Sequence, residues 1–79
     1  MTKREVQTYI NSISPSPGFI LDLTKQQLSD LVYDSTGLEI ENYEQNGASN
    51  AKRLTTLLLS VEDPTPIMDA INKYKEDQN

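Results

Sequence analysis

The sequence predicts an all-α fold, a small bundle of four to five short helices. Apolar residues recur at spacings of three and four in four separate stretches. Each stretch opens on a residue suited to capping a helix, and prolines or glycines separate the stretches.

In the first, Thr2-Lys3-Arg4-Glu5 has capping-box form: Thr2 accepts from the Glu5 backbone and the Glu5 side chain reaches back. Val6, Ile10 and Ile13 then share one face. Ser14-Pro15-Ser16-Pro17-Gly18 cannot continue that helix, because proline lacks a donor and its ring clashes with the preceding turn. The expected organisation is an N-terminal helix over 1–14 and a Pro/Gly linker over 15–18. A helical interaction domain over 19–76 and a frayed tail over 77–79 follow. The first helix either stands apart or swings across to cover the rest.

Phe19-Ile20-Leu21-Asp22-Leu23 is the most hydrophobic stretch and suits a strand or a helical turn. Thr24-Lys25-Gln26-Gln27 is a second capping box, with Leu23 and Leu28 placed as a hydrophobic staple. A helix follows over 25–35, burying Leu28, Leu31 and Val32, and Gly37 is placed to end it in the left-handed conformation with Leu38 behind. Leu38-Glu39-Ile40-Glu41-Asn42-Tyr43 alternates apolar and polar residues, as a strand does. A lone short strand has no partner, so an extended or one-turn helical connector is expected. Asn46-Gly47 marks a turn, and Ser49 caps a helix over 50–62 whose stripe is Leu54, Leu57, Leu58 and Val61. Asp63-Pro64 stops it. Thr65-Pro66 starts the last helix, with Thr65 as N-cap and Ile67, Ala70, Ile71 and Tyr74 on its inner face.

Composition narrows the chemistry. The 79 residues include no Cys, His or Trp, and 12 acidic against 7 basic residues give a net charge of −5. Soft metal sites, thiol nucleophiles and a Ser–His–Asp triad have no residues to build them. At 8.9 kDa the folded surface should be about 4,800 Å², which leaves little core behind which to excavate a deep substrate pocket. The expectation is therefore no enzyme, no cofactor and no small-molecule substrate. The longest apolar runs are three residues, too short for a membrane span or a signal-peptide core, so the expected location is cytoplasmic. Seven scattered bases on an acidic chain oppose nucleic-acid binding, since phosphate contact needs clustered Lys and Arg.

Three constellations remain. Ser49, Lys52 and Arg53 bring a helix N-terminus and two cations together, a candidate anion or protein-docking site. The plainer alternative is that Ser49 only caps the helix while Lys52 and Arg53 are solvated or pair with nearby acids. Asp30, Asp34, Glu39, Glu41 and Glu44 form an acidic region that is either a plain solvated face or the counterpart of the basic Lys52–Arg53 patch, through which copies of the chain or a relative would associate head-to-tail. Tyr33 and Tyr43 flank that region and are secondary partner-contact candidates, tyrosine being favoured at interfaces. The partner-binding set is thus Lys52, Arg53, Ser49, Asp30, Asp34, Glu41, Tyr33 and Tyr43.

Size, acidity and the ending Ala70-Ile71-Asn72-Lys73-Tyr74 look superficially like an acyl carrier protein. That family places Asp-Ser-Leu at the start of its second helix. Here Ser49 stands in Ala48-Ser49-Asn50, and Asp34-Ser35-Thr36 lies near a helix end. Residues 19–74 resemble instead the small death-like, effector-associated helical domains of bacterial abortive-infection and conflict proteins. The resemblance lies in Leu23-Thr24-Lys25, Thr36-Gly37-Leu38-Glu39-Ile40 and Gly47-Ala48-Ser49-Asn50-Ala51-Lys52-Arg53-Leu54. The chain departs from the family at Asn50, where a lysine is usual, and at 56–59, where aromatics stand; Glu62 matches the family's acid. The resemblance implies an adaptor that joins proteins without chemistry, in bacterial anti-phage defence or its inhibition. It transfers only the Lys52–Arg53 pair, as a structural or docking element. The alternatives are a small transcriptional or nucleic-acid regulator acting through the 50–62 helix and, behind it, an acyl-carrier-like protein modified on Ser49 or Ser35.

Overall fold

The structure, a computed structural model, describes residues 1–77. Four α-helices carry the chain: α1 (Lys3–Ile13), α2 (Lys25–Thr36), α3 (Asn50–Ser60) and α4 (Thr65–Asp77), with a 3₁₀ turn at Ile40–Asn42 between α2 and α3. No strand is present among the described residues. The all-α bundle read from the sequence is the observed fold.

Capping sets the helix starts. Both capping boxes form, Thr2 with Glu5 and Thr24 with Gln27, so in each case two orphan backbone donors are satisfied reciprocally. Ser49 accepts from the Lys52 backbone at 3.2 Å. Gly37 ends α2 at φ 75°, donating to Tyr33 O at 2.7 Å, a conformation glycine adopts without a Cβ penalty. α4 starts differently from expectation. Thr65 is already helical, and Asp63 Oδ1 accepts from the Thr65 N–H at 3.1 Å. A carboxylate complements the positive helix end better than a hydroxyl does, so Asp63 takes the role assigned to Thr65. At its other end α4 runs through Asp77; Gln78 and Asn79 lie outside the described residues.

Residues 19–23 form neither strand nor helix. Leu21 takes a left-handed φ of 48° and donates to Ile13 O at 2.8 Å, which breaks any extended run. Ile20 and Leu23 turn inward while Phe19 is left 57% exposed. The connector is one-turn helical, with Ile40 fully buried. α3 ends at Ser60, two residues before the expected stop, because Val61 has already gone extended ahead of Pro64.

Each helix spends its apolar stripe on one core. Val6, Ile10 and Ile13 come from α1, Leu28 and Val32 from α2, Leu54, Leu57 and Leu58 from α3, and Ile67 and Ile71 from α4; Ile20, Leu23 and Ile40 fill the spaces between. α1 thus lies across the bundle, packed on α3, while α2 packs on α4 and the 3₁₀ turn bridges α2 and α3. Tyr9 ties α1 to α4, its hydroxyl donating to Met68 O at 3.5 Å and Asn72 Oδ1 at 3.3 Å. The accessible surface is 4901 Å² and the radius of gyration 11.2 Å, close to the values of about 4,800 Å² and 11.6 Å that this chain length implies.

Candidate functional site

The residues singled out in the sequence divide into an internal cluster and a surface groove. The internal cluster centres on Arg53. Its side chain is 4% exposed, and Nη2 donates to Glu41 Oε1 at 3.2 Å. Glu44 Oε2 lies 3.6 Å from Nε. That is an ion-pair distance but beyond hydrogen-bond reach, and Nε has no hydrogen-bond partner among the described residues. Glu41 also accepts from the Ser29 hydroxyl of α2. Arg53 is therefore no part of a free basic patch. It is a buried cation that fastens the connector after α2 onto α3, and the half-exposed Glu41 carboxylate meets it at the surface. The physical reason is helical geometry: neighbouring residues are about 100° apart around the axis, so Lys52 projects outward while Arg53 joins the buried stripe. Asn50, Arg53, Leu54 and Leu57 follow the i, i+3, i+4, i+7 pattern, a signal the adjacency of two bases concealed.

The N-terminus of α3 is likewise in structural use. Ala51 N–H donates to Gly18 O at 3.2 Å, Lys52 N–H to Ser49 Oγ, and Arg53 N–H to Ser49 O at 2.9 Å. These amides are not available to an anion. Asn50 Nδ2 donates to Leu23 O at 3.0 Å, and its Oδ1 is sealed from solvent. Lys52 is exposed, its stem packed over Gly47. α3 buries six positions, and Lys52, Leu59 and Ser60 stay exposed on its other side, so Lys52 is the one base that side presents. The Ser35 hydroxyl donates to Val32 O at 3.1 Å.

The groove runs between α2 and α4. Half-buried Leu31, Ala70 and Tyr74 line it together with Leu23, and exposed Asp30, Asp34, Asp77 and Lys73 stand at its edge. Asp30 and Asp34 are one turn apart on α2, so their carboxylates share a face. Asp30 Oδ1 accepts from Gln26 Nε2 at 2.8 Å. Tyr74 is fixed from the other side by donating to Asp22 Oδ1 at 2.8 Å; bonding to that carboxylate raises the phenol's pKa above its ordinary value. Of the acids read from the sequence, then, Asp30 and Asp34 reach the groove, whereas Glu41 and Glu44 are committed to Arg53. Tyr33 is 56% exposed on the outer side of α2, while Tyr43 packs half-buried against the core.

Sequence reasoning missed the α4 half of the groove. Ala70 and Tyr74 were expected on the inner face of α4, but only Ile67 and Ile71 are buried there. The spacing of 67, 70, 71 and 74 is that of an ordinary core-facing stripe, so periodicity held no sign that Ala70 and Tyr74 would stay partly open.

Among the described residues no helix is long and apolar enough to cross a membrane. No protein-family model, curated protein or solved structure matches the chain.

Proposed function

We propose that this protein is a non-enzymatic protein–protein interaction module, an adaptor, and that the α2–α4 groove is its docking surface. One observation carries this: the groove combines an apolar lining, Leu31, Ala70 and Tyr74, with a charged edge. Such a surface offers a partner apolar burial at its centre and orientation at its rim. The likeness to effector-associated domains extends the proposal to an adaptor role in bacterial anti-phage defence or its inhibition. Within those likeness motifs, Gly37 and Arg53 serve the fold, so docking is assigned to the groove instead.

The test is recovery of a purified partner on immobilised protein. The double variant L31E/D34K should lower its affinity about tenfold or more, as removal of an interface anchor does. The single variant K52E, away from the groove, should leave it unchanged. Both proteins must keep the helical circular dichroism of the parent. Equal recovery by folded L31E/D34K overturns the proposal.

A further inference from the structure

We infer that the groove's occupant is a basic amphipathic segment of a different protein, one apolar face flanked by Lys or Arg, rather than a second copy of this chain. The inference rests on the docking role proposed for the groove and adds the chemistry of the partner. Three carboxylates, Asp30, Asp34 and Asp77, stand against the single ammonium of Lys73 around the apolar lining. A segment whose apolar residues enter between α2 and α4 therefore meets carboxylates on leaving the lining, and cations there are favoured.

Among the described residues the chain's own surface supplies no such segment. The cationic pair at the start of α3, Lys52–Arg53, is broken by the burial of Arg53 against Glu41 and Glu44. Lys3 and Arg4 share a depression with Gln7 and Thr8, and Met1, 37% exposed just before them, is a single apolar side chain rather than an apolar face. Phe19 is exposed and shares a surface depression with Lys25. That offers one cation to three carboxylates, on a molecule of net charge −5 whose copies repel.

The experiment uses the full chain and two labelled 18-residue peptides of one design. Each has a leucine stripe, with lysine on the polar face of one and glutamate on the other. Fluorescence anisotropy should show at least about tenfold tighter binding of the lysine peptide, weakening as salt rises. D30N/D34N should weaken that binding about tenfold, whereas E39Q/E62Q, removing the same charge elsewhere, should change it less than about twofold. The protein alone should sediment as a monomer. Equal binding of the glutamate peptide, or no binding of the lysine peptide, overturns the inference about chemistry. The docking role of the groove still stands if L31E/D34K loses the purified partner. Lysine-peptide binding that ignores D30N/D34N removes the groove itself. Self-association abolished by F19A makes the occupant a second copy and overturns the inference.

Discussion

Arg53 shows how much turns on one side chain. It is 4% exposed while its partners Glu41 and Glu44 are 51% and 42% exposed, so the three charges do not share their burial equally. Neutralising the carboxylates strands a cation in the interior, which costs about 3 kcal/mol or more in comparable pairs. Removing the cation leaves two carboxylates that water already reaches. The expected asymmetry is therefore that E41Q/E44Q destabilises by about 3 kcal/mol, whereas R53M, which keeps the packed stem, costs about 1 kcal/mol or less. Urea unfolding of both variants measures it, and equal losses would show that the pair is held by packing alone. At this scale the sequence was only partly legible. The pairing of Lys52–Arg53 with nearby acids was a recognised alternative, but not that just one of the two bases turns inward. Asp30 and Asp34 could be placed on one face of α2, yet nothing in them announced α4 as the opposite wall.

Helix starts were the most legible elements, because capping is local chemistry. Thr2, Thr24 and Ser49 all cap as their spacing predicts. The 19–23 segment was not legible, because short apolar runs suit a strand, a helix or neither, and tertiary packing chooses; the connector was legible as one of two alternatives, of which the one-turn helix is observed. The α1 box and the start of α4 also make stability depend on acid. Hydrogen bonds from the Thr2 backbone, and then from its side chain, hold Glu5 below its ordinary 4.5. The Thr65 side chain, and then its backbone, hold Asp63 below 3.8. Both groups bind protons less readily folded than unfolded, so their contribution is complete above these ordinary values and is lost as pH falls through the lower folded ones. Unfolding midpoints measured from about pH 6 down to about pH 3 should decline, and E5Q/D63N should flatten that decline. An unchanged slope would mean other carboxylates dominate the acid limb.

For the molecule as a whole, the opposite limb is shared by Tyr74, raised by its bond to Asp22, and Tyr9, which is shifted further. Burial first, and the negative charge of Asp69 second, push its phenol from 10.0 up to about 12. Because the folded state holds that proton more tightly, the contribution is intact below pH 10 and drains away as pH rises from 10 through 12. Y9F should cost about 1 kcal/mol or less at neutral pH, its two hydrogen bonds being long, and should abolish the Tyr9 share of this alkaline loss. A thermal melt series across that range decides it, and Y9F that loses stability in parallel with the parent would refute the assignment. The thirteen core residues were largely foreseeable from periodicity, but periodicity names the buried face of a helix and never the helix it meets. That α1 would lie across the bundle on α3 had to come from the structure.

The alternation of those contacts, first helix on third and second on fourth, has a practical consequence. Cutting at the Asn46-Gly47 turn separates both helix pairs, so the first piece keeps only the packing of α2 on the 3₁₀ turn and each piece bares most of its apolar stripes. Residues 1–46 and 47–79, supplied separately, should show little helical circular dichroism apart and regain it when mixed, the behaviour of two halves of a complementation reporter.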